Sequence, residues 1–281
     1  MDNFEITKFV DVEQVIRNKS EKLHRMVPGF VIHWLRRVVH EDEVNYVLSK
    51  YKHLEGLPFI EATLNELGLK VAAEGNLDWN PQGRYIFVAN HPLGGMDGLA
   101  LMMVVGRKMP DIVFPVNDIL LSIPNTRSLF VPINKHGRNP HLVKQLDETF
   151  AGDRTLLYFP AGLCSRRQGG RIVDLEWKKT FVTKARIHHR DIIPVYAEGS
   201  NSKFFYRLAN IRKALGIKFN IEMLFLVDEM VKQKGKTLTL RFGKPIPYTL
   251  LDNRHTDSQW AARIKEHVYK LAHNPNTPFE P

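Results

Sequence analysis

The sequence predicts an α/β fold: a mostly parallel sheet covered by helices, with an N-terminal helical extension. Three observations carry that reading. From about residue 69 onward, short apolar, β-branched runs alternate with windows of helical periodicity, the pattern of strands joined by crossover helices. Residues 6–51 lack that alternation and read as helices alone. A composition of 43 % hydrophobic and 10 % aromatic residues over 281 positions is ample for a large buried core and argues against disorder.

Pro28 interrupts the first helical stretch and opens a second, where its missing N–H costs nothing. In that second stretch Phe30, Val31, Trp34, Leu35 and Val38 follow helical spacing beside Arg36 and Arg37. EDEVNYVLSKY follows, with its acids at the favourable N-terminal end. PFIEATLNELG is the next helix, closed by Gly68. The chain therefore divides into a helical region, 1–68, and an α/β domain, 69–281.

In the second region LKVAAEG and YIFVAN read as strands and GLALMMVVGRKM as a helix. DIVFPVN and SLFVPIN are further apolar runs, and NPHLVKQLDETF is helical with Asn139 as cap. RTLLYFPAG is a strand leading into a loop, and VDLEWKKTFVTKARIHH reads as a helix. DIIPVYAEG is a strand whose Pro194 argues for an edge or a bulge. SKFFYRLANIRKALG is helical, IEMLFLVDEMVKQKGK fits either state, TLTLRFGKPI is a strand, and DSQWAARIKEHVYKLAH is the closing helix.

The chain carries 40 basic and 30 acidic residues, a net charge of +10, which suits nucleic acid, an anionic bilayer or an anionic substrate as partner. No nucleic-acid motif accompanies the charge, so nucleic acid is not expected. A single cysteine, Cys164, excludes a disulfide framework and a cysteine-based zinc site. The scattered histidines offer no ligand spacing, so no metal is expected. The N-terminus lacks the layout of a secretory signal, and no window reaches the length of a membrane span.

Functional residues of such sheets gather in loops beyond the strand ends, and three exits here carry polar residues. The first is NHPLGGMD, with Asn90, His91, Gly94, Gly95 and Asp97. A histidine can remove a hydroxyl proton, and a carboxylate can hold its tautomer and favour the imidazolium that forms. The two glycines permit a tight loop whose N–H groups can face an oxyanion. Alternatively, Asp97 caps a helix and His91 sits in a turn. The second exit offers Asn134 and Lys135, followed by His136 and Arg138. The third, PAGLCSRRQGGR, combines Gly162 with Ser165, Arg166 and Arg167, groups suited to an anion, although a solvated basic loop fits equally well. Neither phosphate-loop fingerprint occurs. Cys164 beside arginines is a candidate nucleophile, and Ser165 lacks the esterase elbow.

In order, these exits resemble the blocks of the glycerolipid acyltransferase family, the 1-acylglycerol-3-phosphate and lysophospholipid O-acyltransferases. NHPLGGMD resembles the first block, with five residues rather than four between His91 and Asp97. SLFVPINK resembles the second, with Asn134 at the family's arginine, and FPAGLCS the third, with Ala161 at its glutamate. IIPVY resembles the fourth, so the likeness spans about 85–247. The variant resembles the divergent bacterial branch labelled hemolysin-like.

The resemblance implies O-acyl transfer from acyl-CoA or acyl-acyl carrier protein to a lyso-lipid hydroxyl. It makes His91 the base and Asp97 its partner, with the second and third blocks gripping the acceptor. The acceptor is lysophosphatidate-like or a lyso-aminolipid built on ornithine, glycine or serine. No bound cofactor is expected; the partners are the acceptor, an anionic membrane surface and, for one donor, acyl carrier protein. The location is cytoplasmic, peripheral on the inner face of the membrane. Oligomeric state is left open. Two alternatives stand beside it: a lipid-binding or lytic protein on the same fold, and a lipid hydrolase using Ser165 or Cys164.

Overall fold

The computed structural model describes residues 6–109, 111–116, 120–121, 123–133 and 140–281. Five helices come first: α1 (Val12–Lys19), α2 (Glu21–Met26), α3 (Gly29–Val38), α4 (Glu41–Lys50) and α5 (Leu57–Glu66). The chain then alternates through β1 (Lys70–Gly75), β2 (Tyr85–Ala89), α6 (Gly95–Gly106), β3 (Ile112–Val116), β4 (Phe130–Pro132), α7 (Pro140–Ala151) and β5 (Thr155–Tyr158). A hairpin of β6 (Arg166–Gln168) and β7 (Arg171–Val173) interrupts the alternation. It resumes with α8 (Thr180–His188), β8 (Asp191–Ala197), α9 (Lys203–Ala214), α10 (Leu226–Val231), β9 (Thr237–Phe242) and α11 (Asp257–Lys270).

The main sheet has seven strands in the order β1-β9-β8-β2-β5-β3-β4, all parallel pairs except β8 with β9. The expected mostly parallel α/β architecture with N-terminal helices is what the chain adopts. β2 lies at the centre and is buried throughout. Its side chains alternate between faces, as the two-residue period of a strand requires. Phe87 and Ala89 join a core with Phe59, Ile60 and Leu64 of α5 and Ala100 and Leu101 of α6. Ile86 and Val88 join the opposite core with Phe150 of α7, Phe181 of α8 and Trp260 and Ile264 of α11. α5 thus packs into the same core as the sheet.

One local expectation is corrected, and the choice between an edge and a bulge at Pro194 is decided for the bulge. The helix read over VDLEWKKTFVTKARIHH begins only at Thr180. Gly169 and Gly170 both have positive φ, 53° and 82°, and close the two-residue turn that pairs Arg166–Gln168 with Arg171–Val173. Pro194 lies in the inner strand β8 rather than at an edge. The ladder with β9 breaks beside it: Val195 pairs with Phe242 and Ile192 with Ile246, so the β9 side carries one extra residue. That bulge accommodates a residue with no N–H to offer. Asn139, read as a helix cap, lies outside the described residues. Among the described residues no helix is long and apolar enough to cross a membrane.

Candidate active site

The site is built where β2 ends. Asn90 leaves the strand and fastens it: its amide donates to Ala197 O at 2.9 Å and accepts from Ala197 N–H at 2.7 Å. Both ends of the Asn90 side chain are thereby committed to β8, so this residue holds the loop rather than facing a ligand. His91 follows, and its backbone is clamped on both sides. Its N–H donates to Asp174 Oδ1 at 3.1 Å, and its carbonyl accepts from Ser165 N–H at 2.7 Å.

The chain turns through Pro92–Gly94 into α6. Gly94 has φ 78°, and a Cβ there would stand 3.0 Å from Leu226 Cδ2 and 3.3 Å from Cys164 Sγ. Only glycine fits such a position without strain. The turn brings Asp97, in the first turn of α6, back over the loop. Asp97 Oδ1 lies 2.9 Å from His91 Nδ1, and Oδ2 accepts the Leu93 N–H at 2.8 Å. The six-residue separation therefore closes into a His–Asp pair, with Asp97 fully buried. The helix N-cap is Gly94, so Asp97 is not merely a cap.

With Nδ1–H donated to Asp97, the other ring nitrogen of His91 carries the lone pair, and the Cys164 thiol hydrogen-bonds the same ring. The Phe159 ring, just beyond β5, stacks on the imidazole at 4.0 Å between centroids and 21° between planes. Burial pulls the His91 pKa down, but the Asp97 carboxylate and the neighbouring Cys164 outweigh it and lift it well above the ordinary imidazole value. A base so supported is strong, and it needs a higher pH to be free of its proton. α6 begins at Gly95, so N–H groups of its first turn border the same loop.

Beneath the loop lies a polar knot that the motif reading missed. Asp174, 1 % exposed, accepts from the His91 backbone, from Ser165 Oγ at 2.6 Å and from Trp177 Nε1 at 2.8 Å. Burial pushes its pKa up, against these hydrogen bonds. Its own N–H donates to Tyr269 Oη at 2.8 Å. Ser165 thus has its hydroxyl on Asp174 rather than on His91. Arg166 is also buried: it donates to Cys164 O at 2.7 Å and to Glu222 Oε1 at 2.8 Å, and it lies over the Phe205 ring. Glu222, fully buried, takes a second guanidinium from Arg212 at 2.9 Å. Arg166 is a strut between the third exit and α9. Arg167 is exposed on β6, Gly162 makes a turn with φ 65°, and Gly95 is exposed. Asn134 and Lys135 lie outside the described residues. Among the described residues no cluster of candidate metal ligands occurs.

A carboxylate-held imidazole at a strand end, beside glycine N–H groups, suits general-base acyl chemistry. Residues 14–274 match the model of a family described as acyltransferase. The chain belongs to this acyltransferase family. It is 47 % identical over 264 residues to a lyso-glycine lipid O-acyltransferase of Phocaeicola vulgatus, covering 93 % of this chain and 95 % of that protein. A lyso-glycine lipid O-acyltransferase of Bacteroides thetaiotaomicron is likewise 47 % identical, over 93 % of this chain and 97 % of its own. Among solved structures, the 1-acyl-sn-glycerophosphate acyltransferase PlsC of Thermotoga maritima aligns with TM-score 0.45 and 15 % identity, covering 88 % of this chain and 95 % of that one. None of these likenesses bears on a hemolysin-like branch.

Proposed function

We propose that this acyltransferase transfers a fatty acyl group from an acyl thioester, carried by coenzyme A or acyl carrier protein, to the hydroxyl of a lyso-glycine lipid. The observation that carries the reading is the contact between His91 and Asp97. The acceptor class rests on the two 47 % identical relatives.

The acceptor has a definite chemistry. Glycine offers only an amine and a carboxylate, so O-acylation requires a hydroxyl on the chain already attached to its nitrogen. The glycine carboxylate stays free as the acceptor's only charge. In the proposed step the free ring nitrogen of His91 takes the hydroxyl proton while the oxygen attacks the thioester carbonyl. Asp97 stabilises the imidazolium as it forms. The tetrahedral oxyanion collapses, the C–S bond breaks, and the thiolate leaves with the proton that His91 returns. An ester and a free thiol result.

The surface supports work at a bilayer. Phe30 and Trp34 of α3 and Phe204 of α9 are exposed, and Phe225 bridges Trp34 at 6.0 Å and Phe204 at 5.0 Å. Leu215 and Phe219 are exposed beyond α9, with Lys213 and Lys218 between and beside them. Exposed aromatics next to basic residues favour an anionic lipid surface. Leu226, next to Phe225, packs against Gly94, so this face adjoins the catalytic loop. The protein would thus act peripherally, at an anionic membrane surface.

The test is acyl transfer by purified protein from acyl thioesters to a panel of lyso-lipids. A diacylated glycine lipid is the expected product. Turnover confined to lysophosphatidate would refute the acceptor assignment, and release of free fatty acid alone would refute transfer.

A further inference from the structure

A cation from outside the motif blocks stands over the third strand exit. The ammonium of Lys178 stands 4.0 Å from the place where a Cβ on Gly162 would be. Gly162 is in the left-handed region, and its N–H closes a turn onto Phe159 O at 3.0 Å. Phe159 is the ring stacked on His91. Lys178 N–H donates to Pro160 O at 3.1 Å, so its backbone is pinned to the same turn. A second tether runs underneath. Asp174 accepts from the His91 backbone with one oxygen and from the Trp177 indole with the other. Base and lysine are therefore positioned from a single buried carboxylate.

Lys178 is exposed, and among the described residues its side chain has no ion-pair or hydrogen-bond partner. The guanidinium nearest in sequence to this turn, Arg166, is taken up by Glu222 and Cys164 O. The described part of the turn thus presents one point charge rather than a forked donor. One ammonium balances the single charge of a carboxylate, whereas a phosphate monoester carries about −1.5 to −2 and needs further cations. Carboxyl carbon and hydroxyl-bearing carbon in an N-(3-hydroxyacyl)glycine lie about 6 Å apart when extended, so a carboxylate-binding cation has to lie close to the base, and the Gly162 turn that Lys178 overlies is closed onto Phe159, the ring stacked on His91.

We propose that Lys178, over the side-chain-free Gly162 turn, receives the acceptor's carboxylate and sets selectivity for carboxylate headgroups. The inference deepens the lyso-glycine lipid reading and rests on it for the acceptor's chemistry. Its test pairs an N-(3-hydroxyacyl)glycine with the same lipid bearing a carboxamide, using wild type, Lys178→Gln and Lys178→Arg. Both turnover and equilibrium binding, read by tryptophan emission, are measured.

Loss of a charge-assisted hydrogen bond predicts a KM for the acid raised about tenfold in Lys178→Gln. The KM for the carboxamide and for the thioester donor stays unchanged, and Lys178→Arg keeps most of the preference. Wild type binds the acid more tightly than the amide, and Lys178→Gln binds both alike. Equal effects on acid and amide, or an unaltered preference in Lys178→Gln, would overturn the role of Lys178 while leaving acyl transfer standing. Absence of transfer from any thioester, with the lysine-dependent binding preference intact, would instead overturn the catalytic reading and leave the carboxylate site.

Discussion

Asp97 Oδ1 lies 2.9 Å from Nδ1 of His91, although one residue more than the family's usual four separates them. The loop absorbs the addition at Gly94, whose φ of 78° sends the chain into α6 so that its third residue faces back. The resulting electrostatics set a pH profile. The His91 pKa stands above the ordinary imidazole value of about 6.5, through Asp97 and Cys164 against burial. The free base is the active form, so kcat/KM rises with pH through an apparent pKa above that of a free imidazole. Asp97→Asn removes the main elevating charge: the limb moves to lower pH and the plateau falls about 10² to 10⁴-fold. A pH–rate profile of both proteins checks each part.

Gly94→Ala tests the loop directly. A Cβ at 3.0 Å from Leu226 and 3.3 Å from Cys164, on a left-handed backbone, leaves the His91–Asp97 geometry unsupported. The left-handed conformation alone costs an alanine about 1–2 kcal/mol. Thermal unfolding should show that loss, and kcat should fall more than KM rises, because the damage is to the base rather than to a binding surface.

Cys164 separates direct attack from an acyl-enzyme. Its Sγ sits against Gly94 and it raises the His91 pKa. With direct attack on the thioester, Cys164→Ala retains turnover within a few-fold and shifts the ascending limb of the pH profile to lower pH. Mass spectrometry of wild type with donor alone should show no acyl adduct; an adduct on Cys164 and an inactive alanine variant would favour the thiol route.

The buried Glu222 carries two guanidiniums, Arg166 at 2.8 Å and Arg212 at 2.9 Å. Glu222→Ala strands both cations, which predicts destabilisation of about 3–5 kcal/mol. Denaturant unfolding measures it. The hydrophobic replacement of all three is expected to recover much of the loss, since the pair's attraction mostly offsets desolvation.

His267 governs acid stability. Burial, then the charge of Lys270, lower its pKa to about 4, against the attraction of Glu280. The unfolded chain takes up the proton near pH 6.5 and the folded chain only near 4, so this contribution to stability is intact above 6.5 and lost as pH falls toward 4. His267→Gln should flatten the fall in melting temperature across that window.

The strands and their exits were legible because β2, β5 and β8 are continuous apolar runs ending in polar, glycine-rich loops. The His91–Asp97 pair was legible as a possibility; the spacing alone left a capping role open, and the backbone of Gly94 decided it. Asp174 and Trp177 were hidden in a stretch read as helix. Gly169 and Gly170 carried the hairpin signal there, but beside three arginines they looked like an anion loop. In sequence Arg166 looks like a ligand because its partner, Glu222, lies 56 residues away. Pairings at that range have no local signature. Lys178 was obscured for the same reason, since its place over Gly162 depends on the hairpin between them.

The role of His91 as base is measured by turnover of purified protein with an acyl thioester and an N-(3-hydroxyacyl)glycine, comparing wild type with His91→Ala. Wild type is expected to give a diacylated glycine lipid and stoichiometric free thiol, and the variant to lose at least about 10²-fold. Wild-type turnover in His91→Ala would rule out His91 as the base.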